Sequence, residues 1–101
     1  MTETLLVHQG EGRFTLSGPM DYSSVAALLA QGGREFQGHE RIALDLAGVT
    51  RANSAGLALL LEWMDGVYAQ GGQLQLSNLP AALADIARIS NLHEFLPFAE
   101  E

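Results

Sequence analysis

The sequence predicts an α/β fold: a mixed sheet of four or five strands, opened by a β-hairpin, with helices packed mainly on one face. Three observations carry this. Apolar and polar residues alternate in short runs near the N-terminus, the signature of half-buried strands. The stretch Ile42–Tyr68 then sets a strand, a polar loop and a periodic helix end to end. A second alternating run follows that helix at Leu74 and Leu76, which makes a β-α-β unit with parallel strands and a right-handed crossover.

Taken in order, Leu5 and Val7 alternate with Leu6 and His8, and Phe14 and Leu16 alternate with Arg13, Thr15 and Ser17. Strands are therefore expected over 4–9 and 12–17, joined by a turn at Gly10-Glu11-Gly12. Gly18-Pro19 should end the second strand. Asp21 or Ser23 can cap a helix whose inward stripe is Val25, Leu28, Leu29 and Gly32, with Gly32-Gly33 as its stop signal. A loop over 34–40 follows, with Phe36 tucked under the sheet.

Ile42, Leu44 and Leu46 give the central strand. Leu57, Leu60, Leu61, Met64, Val67 and Tyr68 fall at i, i+3, i+4, i+7, i+10 and i+11, so they are expected on the buried face of the next helix. Gly71-Gly72 closes it and Gln73–Ser77 forms the fourth strand. Pro80 opens a last helix, where its missing N–H costs nothing. Leu83, Ile86, Ala87 and Ser90 should face inward, and Asn91 should end it. The tail from His93 holds Phe95, Leu96 and Phe98, as a strand or a helix, with frayed acidic residues at Glu100 and Glu101.

With 101 residues, 48% hydrophobic and 17% charged, one self-folding domain over 1–101 is expected, without a linker. No apolar run reaches the ~18–20 residues that span a bilayer. The start, Met1-Thr2-Glu3-Thr4, lacks the basic and apolar regions of a signal peptide, so a cytoplasmic location is expected. Twelve acidic residues against five basic ones give a net charge of −7, which repels phosphate backbones and anionic lipid surfaces. Neither binding to nucleic acid nor direct insertion into a membrane is therefore expected.

Cysteine is absent, which removes disulfides, thiolate catalysis and cysteine-based zinc sites. His8, His39 and His93 stand in separate segments without a second ligand at metal spacing. No lysine exists to serve a phosphate loop, and Ser54 lacks the first glycine of a G-x-S-x-G elbow. Neither a cofactor, a metal nor hydrolytic catalysis is expected.

What remains is the hinge Arg51-Ala52-Asn53-Ser54-Ala55-Gly56. Asn53 or Ser54 can accept a hydrogen bond from a first-turn N–H of the helix, and the helix dipole favours negative charge there. Here the chain resembles the STAS domain family, shared by anti-sigma factor antagonists and the cytoplasmic tails of some anion transporters. The family often reads V-x-x-[hydrophobic]-D-[ST]-[ST]-G-L after a strand, and this chain reads V-T-R-A-N-S-A-G-L from Val49 to Leu57. Asn53 replaces the acidic residue and Ala55 the second hydroxyl. Gly18-Pro19-Met20-Asp21 resembles the family's G-x-x-D, with Pro19 in the usual acidic place. Ile89-Ser90-Asn91-Leu92 is similar to the family's M-S-G-L, and the likeness covers the whole chain.

The resemblance implies a STAS fold and a non-catalytic, protein-binding role. The runs Gly56–Leu61 and Asn91–Pro97 are most similar to the STAS subunit of the bacterial phospholipid-transporting ABC complex that maintains outer-membrane lipid asymmetry. That implies an ABC ATPase subunit as partner and a position peripheral to the inner membrane through it. The alternative it implies is an antagonist that binds an anti-sigma kinase until Ser54 is phosphorylated. Beside this, helix geometry sets Leu59 and Trp63 opposite the leucine face, near Ala55, Glu62 and Gly66, so an exposed indole is expected as an anchor. The expected partner surface is Asn53, Ser54, Ala55, Gly56, Leu59, Glu62 and Trp63.

Overall fold

In a computed structural model, which describes residues 4–98, alternation and turn chemistry resolve into seven principal elements. They are β1 (Leu5–Gly10), β2 (Arg13–Met20), α1 (Val25–Glu35), β3 (Arg41–Ala52), α2 (Ser54–Ala69), β4 (Gln73–Ser77) and α3 (Ala81–Ile89). The sheet order is β1-β2-β3-β4, with β1 antiparallel to β2 and the other pairs parallel. Phe14, Leu16, Ile42, Leu44, Leu74 and Leu76 are buried under the helices, whereas Leu5, Val7, Ala43 and Gln75 on the alternate positions are exposed. The period of two therefore sorts the sheet into one covered and one open face.

Both central strands run further than the alternation suggests. β2 does not stop at Gly18-Pro19: Pro19 pairs with Arg51 and Met20 with Ala52 across a register shift, a place where a missing N–H is tolerated. β3 continues six residues past Leu46, so the expected polar loop shrinks to Asn53. Gly48 makes this extension possible, because a side chain there would come within 2.8 Å of the Ser17 Cβ.

The helices also differ from expectation in detail. α1 begins at Val25 after Ser24, and Asp21 contributes through its backbone carbonyl, which accepts from the Ser24 and Val25 N–H groups. The helix runs through Gly32-Gly33 to Glu35, because Gly32 is a packing residue rather than a stop: a side chain there would collide with the Trp63 indole. Phe36 is buried as expected, edge-on to Phe14 at 4.9 Å and to Trp63 at 5.2 Å.

The phase of α2 is rotated from the expected one. Leu59 and Trp63 are each only 3% exposed, whereas Tyr68 is 53% exposed and Leu61 and Met64 are half-buried. The reason is the company the helix keeps: α1 and α3 both pack against α2, as do β3 and β4, so the covered arc is wider than a single leucine stripe. On α3, Leu83 and Ala87 are buried but Ser90 is exposed, and Asn91 ends the helix with a left-handed φ of 58°. The tail forms a short 3-10 turn at His93–Phe95, after which Phe98 makes one parallel bridge to Leu76. The fraying expected at Glu100 and Glu101 lies outside the described residues.

Candidate functional site

Parallel pairing of β2 and β3 brings their C-terminal ends side by side, so the segment leading to α1 and the start of α2 share one surface. The Asn53 N–H donates to the Met20 carbonyl at 3.2 Å, which ties the two strand ends together. Asn53 is extended, with φ −130° and ψ −167°, and its Oδ1 accepts from the Ala55 N–H at 2.9 Å. It is thus the N-cap of α2.

Because Asn53 fills that role, the Ser54 hydroxyl is not needed for it. Ser54 is the first helical residue and is exposed, with its Oγ 3.3 Å from the Tyr22 hydroxyl. A second link joins the same two segments. Arg51 donates through Nη2 to Asp21 Oδ2 at 3.4 Å, and Asp21 Oδ1 accepts from the Ser23 hydroxyl at 2.6 Å and the Ser23 N–H at 3.0 Å. The Ser23 hydroxyl above all holds the Asp21 carboxyl below its usual range; desolvation opposes it, and the Ser23 N–H and the Arg51 charge add to the lowering.

The sequence-expected surface is therefore divided. Ser54 and Glu62 are exposed, and with Ala58 and Asp65 they line the outer face of α2. Asn53 is half-buried as the cap. Ala55 and Gly56 are buried, and Gly56 is a packing residue: a side chain there would stand 3.0 Å from the Met20 Cβ and 3.3 Å from the Met20 carbonyl oxygen. Leu59 and Trp63 belong to the core, so neither is the exposed anchor the helix phase suggested.

The large aromatic at this surface is instead Tyr22, 75% exposed. Nothing in its local sequence marks it. The signal that could have found it is topological: parallel neighbours in a sheet align their C-terminal ends, so the loop after β2 must adjoin the loop after β3.

The structure brings His8 and His39 within 5.1 Å of each other, His8 stacking on Phe14 at 4.4 Å, whereas His93 packs separately against Phe98. Among the described residues no group of three or more His, Asp or Glu converges to hold a metal ion, and no helix is long and apolar enough to cross a membrane.

With this geometry in place, the chain can be set beside known proteins. The family described as "Mlab, STAS domain" matches residues 6–97. No curated protein matches the chain. Among solved structures, the unphosphorylated anti-sigma factor antagonist SpoIIAA is similar at TM-score 0.70 and 19% identity, covering 98% of this chain and 88% of its own. The phosphorylated Bacillus SpoIIAA gives 0.70 and 21%, covering 98% and 93%. An anti-sigma factor antagonist from Mycobacterium paratuberculosis gives 0.72 and 20%, covering 98% and 86%. At these identities the structural likeness establishes a common fold.

Proposed function

The chain belongs to the STAS domain family described as Mlab, and on that premise we propose that it is a non-catalytic binding module whose partner surface is the start of α2 together with the loop after β2. The observation that carries this reading is the arrangement at Asn53, Ser54 and Tyr22. Asn53 takes over the cap, leaving an exposed hydroxyl and an exposed phenol side by side on a rigid strand end. Tyrosine is a favoured anchor of protein interfaces, and the short Asn53 connection holds it and Ser54 in register.

The partner we infer is the ATPase subunit of a phospholipid-transporting ABC complex that maintains outer-membrane lipid asymmetry. The description of the matching family supports it, as do the runs Gly56–Leu61 and Asn91–Pro97. The chain would stabilise that subunit from the cytoplasm and reach the membrane only through it. A specific observation also favours a second reading, an anti-sigma factor antagonist switched at Ser54. The hydroxyl is accessible at the first turn of a helix, where the backbone N–H groups favour an added phosphate. The structural likeness to SpoIIAA in both its forms agrees with it.

Purification of the tagged chain from its native cell separates the two. Recovery of an ABC ATPase with a permease is expected. Recovery of a GHKL-type kinase in their place would move the assignment to the antagonist.

A further inference from the structure

Two of the chain's three histidines stand far apart in sequence and meet in space. His8 of β1 and His39 of the segment before β3 have ring centroids 5.1 Å apart, with their planes inclined at 72°. A metal ion held by two imidazoles sets nearly the same separation. With Zn–N bonds of about 2.0–2.1 Å each ring centre stands about 3.2 Å from the ion, and a tetrahedral angle then puts the two centres about 5.2 Å apart. The pair is therefore already spaced for an ion between the rings.

A second observation concerns which nitrogen of His8 is free. Its ring stacks face to face on Phe14, at 4.4 Å and 11°, and a face contact leaves the nitrogens at the rim uncovered. Nε2 is hydrogen-bonded to the Glu11 carbonyl oxygen. A carbonyl only accepts, so Nε2 carries the hydrogen and the neutral ring keeps its lone pair on Nδ1. Metal-ligating histidines are oriented in this way, one ring N–H given to a backbone carbonyl and the other nitrogen left for the ion. His39 is half-buried and lines an open cavity of about 310 Å³ with Gly38, Glu40 and Gln70, which gives an ion and its waters a way in.

We propose that His8 Nδ1 and a ring nitrogen of His39 bind one divalent transition-metal ion of the kind imidazole suits, Zn²⁺, Ni²⁺ or Cu²⁺, with water in the remaining positions. The net charge of −7 draws cations to the chain. The ion ties the edge strand β1 to the segment entering β3. It sits at the N-terminal end of β3, whereas the Ser54–Tyr22 surface adjoins the C-terminal end, so the site stands or falls independently of the partner surface.

The test is titration of the full chain with Zn²⁺ at about pH 7.5, where an imidazole of ordinary pKa, about 6.5, is neutral, followed through the histidine ring resonances. His8 and His39 are expected to shift together and to saturate at one ion per chain, while His93, packed against Phe98, stays in place. His8→Phe keeps the stack on Phe14 and removes a ligand. That variant and His39→Phe should each weaken binding by roughly a hundredfold, because the second imidazole acts as an intramolecular ligand, and His93→Ala should bind as the parent does. Should either variant fail to fold, His8→Gln or His39→Gln replaces it. Absence of a saturable shift, equal shifts at all three histidines, parent-like affinity in a folded variant of His8 or His39, or displacement of Zn²⁺ by millimolar Mg²⁺, which seeks oxygen ligands, would overturn the proposal.

Discussion

The Ser54 hydroxyl oxygen lies 3.3 Å from the Tyr22 hydroxyl, across the gap between two loops, while the side chain before it caps the helix: Asn53 Oδ1 accepts from the Ala55 N–H at 2.9 Å. Two adjacent polar residues thus split two tasks that a single serine could have shared. One holds the first turn, and the other is presented outward.

This split has a direct consequence for stability. Asn53→Ala should cost about 1 kcal/mol, whereas Ser54→Ala, which removes an exposed hydroxyl, should stay within about 0.5 kcal/mol. Urea unfolding of both variants checks it. A larger loss for Ser54→Ala would make that hydroxyl structural.

Trp63 should behave as a core residue. Its emission in the free protein should be blue-shifted and poorly quenched by acrylamide, and Trp63→Ala should cost about 3–5 kcal/mol through the cavity it leaves. Trp63→Phe should be milder, because it also deletes the unpartnered N–H. Red-shifted, quenchable emission would return the indole to the surface.

The reason these residues were misplaced on sequence grounds is physical. Strand alternation sorts two faces cleanly, so Phe14, Leu16, Ile42, Leu44, Leu74 and Leu76 were all legible as core. In α2, apolar residues at 57, 59, 60, 61, 63, 64 and 67 cover so much of the circumference that periodicity alone cannot choose its phase. That choice is made by α1, through the vacancy of a side chain at Gly32, and a glycine pair reads locally as a stop. Ser54 was legible because the hinge chemistry is local. Tyr22 was not, because its proximity exists only once β2 and β3 pair in parallel.

The neighbouring glycines of α1 should respond to alanine with opposite sign. Gly32→Ala drives a Cβ into the Trp63 ring and should destabilise by about 1–3 kcal/mol. Gly33→Ala meets open space in a helix and should stabilise by up to about 1 kcal/mol. Thermal unfolding of the two single variants decides the matter, and losses of equal size would refute the assignment of Gly32 as the packing residue.

Acid should weaken the fold through two carboxylates. The Asn78 side-chain amide, then the Ala47 N–H, hold the Asp45 carboxyl below its usual range, as the Ser23 hydroxyl does for Asp21. A carboxylate whose pKa is depressed by folding contributes its full stabilisation above the unfolded value of about 3.9 and loses it as pH falls through the folded one. Stability should therefore be insensitive to these groups above about pH 5 and decline below about pH 4. The decline should be shallower in Asp45→Asn; superimposable melting profiles for that variant and the parent would count against the Asn78 contact.

Partner binding should depend on Tyr22 and Ser54 through different physics. Tyr22→Ala removes an exposed aromatic and no core contact, so affinity should fall by on the order of 2 kcal/mol with the melting temperature nearly unchanged. Ser54→Ala should weaken binding less. Ser54→Glu should weaken it more than Ser54→Ala, because a carboxylate at a packed contact must shed its hydration even though the start of α2 favours negative charge. Titration calorimetry of the three variants against the co-purified partner tests the ranking. Parent-like affinity in Tyr22→Ala would remove the loop after β2 from the interface, and equal affinities for Ser54→Ala and Ser54→Glu would show that this helix end stays in water in the complex.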